Sequence, residues 1–350
     1  MTEASGSDPG DTPAPVPPQT RKDAAESRRH LDDGADPTAV FQSHVRAARS
    51  EFEHQIAQAR TDFEEVNERI KQRTGRDLLV AIVIAVAIGG VLLASLLLFS
   101  WGFAVFALAA ALLAVFEFSR ALIAAGWRID VIPQLISATA VIAAGFFLDA
   151  WLLWVVVFVA IAVIVIWRLL AQMTAHDGRT YGDVLTDVLV GAFVQLYVPF
   201  FASLALVLLR QDGGEWWVLG FIIVAVASDT GAYVAGISFG RHPMAPRISP
   251  KKTWEGFGGA VVAAVVAGVL IAMFMIGIEW WMGVVFGLVI LATATIGDLG
   301  ESMIKRDLGI KDMSSWLPGH GGVLDRLDSI LPSATAALAL YYLFTPLVAS

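Results

Sequence analysis

The stretch KRDLGIKDMSSWLPGHGGVLDRLDS, Lys305–Ser329, sets four Asp, four Lys or Arg and one His between two long apolar runs. Just before it lies GDLGES, Gly297–Ser302, so that Asp298, Asp307, Asp312, Asp325 and Asp328 form a carboxylate-rich cluster. Hard oxygen donors of this sort suit Mg²⁺, which usually takes one or two carboxylates plus substrate phosphates and keeps several waters. Lys305, Arg306, Lys311 and Arg326 supply cationic donors of the kind that neutralise phosphate oxygens. Gly319, Gly321 and Gly322 around His320 permit backbone shapes in which N–H groups converge on an anion. Together these residues describe a metal held between carboxylates and a polyphosphate held between cations. The ordinary alternative is a solvated loop whose charges pair with one another. It leaves the Gly-His-Gly-Gly run, and carboxylates brought up against span ends, unexplained.

Two further polar islands interrupt apolar sequence. SDTGAY, Ser228–Tyr233, lies inside a hydrophobic run, where a carboxylate such as Asp229 costs several kcal/mol unless it faces a polar cavity, a cation or a partner. RISPKKTWEG, Arg247–Gly256, offers Ser249 and the pair Lys251–Lys252; taken alone, these lysines are the ordinary flanking charge of a membrane span. No GxxxxGK[ST] loop, HExxH or Ser-His-Asp spacing is present. His320 could bind phosphate, transfer a proton or cap its turn. Zero Cys excludes disulfides, thiolate metal sites and a Cys nucleophile. Phosphoryl or nucleotidyl transfer needs no covalent protein nucleophile, because positioning and charge neutralisation supply most of the rate.

The elements that must position these residues are membrane spans. The chain is 57% hydrophobic over 350 residues, and several apolar stretches reach the roughly 20 residues that a helix needs to cross about 30 Å of hydrocarbon. The hydropathy pattern predicts an all-α, polytopic integral membrane protein of about nine transmembrane helices: Leu78–Phe99, Phe103–Phe118, Val131–Leu148, Trp151–Leu170, Val188–Leu209, Trp216–Phe239, Gly256–Ile276, Trp280–Ile296 and Leu327–Val348. The net charge of −8 carries little information, since much of the acid precedes the first span. Residues 1–36 are rich in Pro and charge and read as a disordered tail, with no cleavable signal peptide. Over residues 37–76, Phe52, Ile56, Ala59, Phe63, Val66 and Ile70 alternate steps of four and three, and Asp36 could cap the helix. An amphipathic cytoplasmic helix lying on a surface and a short coiled coil that makes a homodimer fit this pattern equally. The transmembrane domain then occupies 77–350. With the N-terminal region inside, nearly all loop Lys and Arg fall on the cytoplasmic side, Arg210 being the exception.

The run Ser302–Asp328 resembles the signature of phosphatidate cytidylyltransferases, also called CDP-diacylglycerol synthases: S-x-x-K-R, four residues, K-D, then P-x-H-G-G-x-x-D-R-x-D, every fixed position being filled. SDTGAY and ISPKKTWEG resemble segments of the same family, in the expected order. The similarity covers roughly Leu78 onward. The resemblance implies cytidylyl transfer from CTP to phosphatidate with release of pyrophosphate, using Mg²⁺ and a monovalent cation such as K⁺, at an inner-membrane site facing the cytoplasm. Its metal ligands carry over to Asp298 and Asp325. With them, Asp312, Lys305, Arg306 and His320 become candidate catalytic residues. Candidate substrate-binding residues are Asp229, Ser249, Lys251, Lys252, Ser302, Lys311, Gly321, Gly322, Arg326 and Asp328. Gly300 stands where the family commonly has Phe, a departure that should loosen packing beside Asp298.

CTP, phosphatidate and membrane lipids are thus the expected partners, with no nucleic acid. Two rivals remain at this level. A related enzyme acting on another lipid phosphate or a polyprenol would carry the same motif, and a substrate panel separates the two. A transporter using Asp229 as part of an ion path would release no pyrophosphate from CTP.

Overall fold

The computed structural model describes residues 51, 52, 55, 58, 78–175, 177–314, 316 and 321–348. The chain divides into two compact units, Met1–Arg69 and Ile70–Ser350. In the first, Glu51, Phe52, Gln55 and Gln58 are helical. The expected tail over 1–36, and most of the heptad pattern over 37–76, lie outside the described residues.

The second unit is helical, in the order α1 (Leu78–Leu98), α2 (Ser100–Ala124), α3 (Val131–Phe147), α4 (Ala150–Thr174), α5 (Tyr181–Gln195), α6 (Phe201–Leu209), α7 (Gly214–Phe239), α8 (Trp254–Ile271), α9 (Trp280–Asp307), α10 (Leu324–Leu327) and α11 (Ile330–Val348). Among the described residues, seven helical stretches are long and apolar enough to cross a membrane: α2, α4, α5 continued through α6, α7, α8 with the turn after it, α9, and α10 with α11. Two shorter apolar helices, Val83–Leu98 within α1 and Val131–Phe147, account for the rest of the expected nine. At 1.5 Å per residue α3 is only about 25 Å long, which is why it falls short by length.

The expected span Val188–Leu209 begins earlier and is interrupted. Pro199 has no N–H to donate, and Leu196–Phe200 form a π turn that joins α5 to α6. This composite stretch is the centre of the bundle: 78% of its most apolar window is buried, against 22% for α4. Ala202–Leu209 are all buried, whereas α4 turns Trp151, Phe158, Ile166 and Leu170 outward. An outward apolar face of that kind suits hydrocarbon.

Among the described residues the all-helical pattern is interrupted by a hairpin between α7 and α8. Strand β1 (Pro243–Ala245) pairs antiparallel with β2 (Ser249–Thr253), matching Pro243 with Thr253 and Ala245 with Ser249. Pro243, Pro246 and Pro250 disfavour helix there. Thr253 then caps α8, its Oγ1 accepting from the Gly256 N–H at 3.1 Å.

A buried ion network ties α4 to α5. Asp187, 1% exposed, accepts from Arg168 Nη2 at 2.7 Å, from Arg179 Nη1 at 2.9 Å and from the backbone N–H of Arg128 at 3.0 Å. Arg128, Arg168 and Arg179 look like simple flanking charge in the sequence. Here they also fasten helix ends together.

Candidate active site

Helix α9 does not stop at Ile296 but runs on to Asp307, so the GDLGES segment is helical. The reason is local. Nothing between Gly297 and Asp307 breaks a helix, and Lys305 and Arg306 in its last turn favour the negative end of the dipole. Asp298, Glu301, Ser302 and Lys305 are spaced i, i+3, i+4 and i+7, which places them on one face. Along it, the Ser302 hydroxyl lies 3.4 Å from Asp298 Oδ1, and Lys305 Nζ donates to Glu301 Oε2 at 3.0 Å. Gly297 is needed at the head of this face. A Cβ there would stand 2.2 Å from the backbone carbonyl oxygen of Asp328, so only Gly lets the α10–α11 corner come this close to Asp298.

Asp325 joins the same face from α10. Its Oδ1 accepts from Lys305 Nζ at 2.9 Å, and its Oδ2 accepts from the N–H groups of Gly322 at 2.8 Å and Met313 at 3.0 Å. The carboxylate therefore organises both ends of the preceding loop. Asp312 is drawn in as well: a Cβ on Gly321, whose φ is +84°, would lie 3.1 Å from Asp325 Oδ2 and 3.6 Å from Asp312 Oδ1. Asp328, 8% exposed, has its Oδ1 taken by the Ser329 N–H at 2.6 Å. His320 lies outside the described residues.

The second island closes the site from the other side. Strand β2 carries Lys252 to Asp298, where its ammonium group forms an ion pair with Oδ2. Lys251, Lys252, Asp229 and Asp298 share the wall of a cavity of about 540 Å³, which continues along α7, α8 and α9 past Ile237, Phe257, Ala260 and Leu291. Its lining mixes these charged side chains with apolar ones. Among the described residues, Ser249, Ser302, Lys305, Arg306, Lys311, Asp312, Gly321, Gly322, Asp325, Arg326 and Asp328 do not line this cavity. Lys311 and Arg326 are exposed. Arg306 turns away from the carboxylates and donates to the carbonyls of Ile248 at 3.3 Å and Ile310 at 3.4 Å, fastening the hairpin to the loop after α9.

Among the described residues no group of three or more His, Asp or Glu is gathered tightly enough to hold a metal on its own. Asp298 and Asp325 are each paired with a different lysine, Lys252 and Lys305.

A model of the cytidylyltransferase family matches residues 79–344. The chain belongs to the cytidylyltransferase family. Curated relatives with the printed name phosphatidate cytidylyltransferase include one from Mycobacterium bovis, 42% identical over 278 residues that cover 76% of this chain and 88% of the relative. Another, from Mycobacterium leprae, is 40% identical over 281 residues, again covering 76% and 88%. One from Brucella suis is 42% identical over 151 residues, or 43% of this chain and 54% of the relative.

Two carboxylates of this cytidylyltransferase site escaped the sequence reading. Glu301, 0% exposed, shares Lys305 with Asp325. Glu117, 2% exposed on α2, accepts from the Ser314 hydroxyl at 2.5 Å and from the Leu324 N–H at 3.0 Å. The signal for Glu117 was present: it is an isolated carboxylate in an apolar run, as Asp229 is. The helical spacing of Glu301 to Asp298 and Lys305 was a second available signal.

Proposed function

We propose that this protein transfers a cytidylyl group from CTP to phosphatidate, giving CDP-diacylglycerol and pyrophosphate for phospholipid synthesis. The observation that carries the reading is the two-natured cavity. Lys251, Lys252, Asp229 and Asp298 give its wall groups that suit phosphate and metal, and Phe257, Ala260 and Leu291 on the same wall suit an acyl chain. Relatives bearing the name of that activity, aligned over most of both chains, support it.

In the reaction a phosphate oxygen of phosphatidate attacks the α-phosphorus of CTP. The new P–O bond forms the diphosphate of the product, the bond to the β-phosphate breaks, and pyrophosphate leaves with the electron pair. Lysine side chains at the cavity wall offset the charge that moves onto the leaving group.

The donor types suit Mg²⁺, for Asp298 and Asp325 offer only hard oxygens, and two carboxylates leave coordination positions for nucleotide phosphates and water. Asp298 and Asp325 would hold it, and when bound it would supply Lewis-acid neutralisation of phosphate oxygens. Lys252 pairs with Asp298 and Lys305 with Asp325. K⁺ is proposed as an accompanying monovalent cation. Homodimerisation through residues 37–76, residence in the plasma membrane and an active site facing the cytoplasm complete the proposal. The dimer rests on the heptad spacing and the orientation on the distribution of Lys and Arg.

The test is release of pyrophosphate from labelled CTP by purified protein, with phosphatidate, other lipid phosphates and a polyprenyl phosphate offered in turn. Turnover is expected with phosphatidate alone and should disappear in Asp325→Ala. Preference for another acceptor, or Mg²⁺-dependent turnover in the variant, would overturn the assignment.

A further inference from the structure

Helix α2 contributes nothing to the cavity wall, yet two consecutive residues of it engage the loop that carries the signature. Glu117 accepts from the Ser314 hydroxyl with Oε1 at 2.5 Å and from the Leu324 N–H with Oε2 at 3.0 Å. Phe116 packs its ring against Trp316 with centroids 5.2 Å apart. These contacts join residues about two hundred positions apart in sequence.

We propose that Glu117 is the positioning residue for Asp325, a latch on α2 that holds Met313–Ser314 and Gly322–Leu324 in the form in which Asp325 pairs with Lys305. The proposal rests on the cytidylyl-transfer reading of the site.

The argument is one of shared partners. Asp325 takes its N–H donors from Met313 and Gly322, and Glu117 takes its donors from Ser314 and Leu324, the neighbours of those residues. The two carboxylates therefore hold the same two segments, Met313–Ser314 and Gly322–Leu324. Gly322 lies between them: a Cβ there would stand 2.8 Å from Glu117 Oε2 and 3.0 Å from Asp325 Oδ2. Glu117 is 2% exposed and its helical neighbours Ala114, Val115 and Phe118 are at most 1% exposed. A carboxylate in that setting needs its donors, and it loses both if the loop lifts away. The desolvation cost of Glu117 thus works as a penalty on every loop conformation but the docked one. Leu324, 0% exposed, adds an apolar plug on the same side.

A positioning role predicts a particular division of effects. Groups that orient a metal ligand typically change metal affinity by about 10- to 100-fold when lost. The full-length chain in lipid nanodiscs is compared as wild type, Glu117→Ala, Glu117→Gln and Ser314→Ala. Amide exchange over 312–326, without divalent ion or nucleotide, reads the latch itself; the Mg²⁺ concentration for half-maximal CTP turnover reads its consequence. In Glu117→Ala, exchange should rise across that segment while α4 and α5 stay protected, and half-saturation by Mg²⁺ should move up by about 10-fold or more. Glu117→Gln should recover most of both, because its amide can accept from Leu324 and donate to Ser314. Ser314→Ala, which keeps the Leu324 bond, should fall between, and it decides the matter if Glu117→Ala does not fold. Wild-type exchange and Mg²⁺ dependence in Glu117→Ala and Ser314→Ala, or a Gln variant as impaired as Ala, would overturn the proposal. If wild-type protein shows no turnover of CTP with phosphatidate, it is the functional reading that fails, and the exchange arm still decides the latch.

Discussion

Lys305 Nζ lies 2.9 Å from Asp325 Oδ1 and 3.0 Å from Glu301 Oε2, so one ammonium group joins the last turns of α9 to the α10 corner. Both carboxylates are nearly excluded from solvent, with side chains 5% and 0% exposed. Lys305→Met would leave them facing each other without a cation. Losing one partner of a buried pair costs about 3–5 kcal/mol. The variant should melt earlier and lose at least about 100-fold in CTP turnover. Lys305→Arg keeps the charge but not the compact ammonium geometry and should lie between. Thermal unfolding and turnover of the purified variants check this; turnover of Lys305→Met near the wild-type rate would contradict the role given to the bridge.

Two glycines of the same region should respond in opposite ways. Gly322 has two carboxylate oxygens within 3.0 Å of where a Cβ would stand, so Gly322→Ala must displace Asp325 or Glu117. Activity should fall sharply. Gly300 has no atom within 4 Å of that position and sits inside α9, so Gly300→Ala meets open space and gains helix propensity of roughly 0.5–1 kcal/mol. Its melting temperature should rise slightly with turnover retained. Equal losses in the two variants would argue against the crowding seen at Gly322. The open space at Gly300 also agrees with the looser packing expected there from its sequence.

Away from the site, Asp187 gathers two guanidinium groups and a backbone N–H in a setting where its side chain is 0% exposed. Asp187→Ala leaves Arg168, itself 4% exposed at the side chain, without its carboxylate. A cost of about 3–5 kcal/mol is expected, read as a lowered midpoint of thermal unfolding. The Mg²⁺ dependence of the remaining folded enzyme should not move, because among the described residues the hydrogen bonds and ion pairs of this network do not include Asp298 or Asp325. A shift in Mg²⁺ dependence would show that the network reaches the site.

The loop between α4 and α5 supplies a pH test. A hydrogen bond from Gln172, with others from the Arg179 N–H and Arg128, holds the Asp177 carboxyl down at about 2. Its value in the unfolded chain is about 3.9, so the folded pKa is the lower one and folding favours the ionised form. The stabilisation is fully present above that unfolded value and is lost as pH falls through about 2. The gap in melting temperature between wild type and Asp177→Asn should therefore hold steady near neutrality and close as the pH drops from about 4 toward 2. A gap that stays constant through that window would contradict the assignment.

The sequence by itself determined the membrane character, the apolar helices and the family, because hydropathy and a contiguous signature are local properties of the chain. It also marked Asp229, Asp298 and Asp325, since a carboxylate within or beside hydrocarbon demands a partner wherever the fold puts it. Tertiary structure alone decided who the partners are. Lys252 reaches Asp298 only because a hairpin between α7 and α8 turns it toward α9, and Arg306, grouped by sequence with the phosphate donors, spends its guanidinium on the carbonyls of Ile248 and Ile310. The π turn at Pro199 and the grip of Glu117 on Ser314 and Leu324 were likewise settled by packing. Helix position follows from burial, which residue type and spacing record. Pairing between helices depends on crossing and rotation, and these are fixed by the summed fit of many distant side chains, which no local pattern contains.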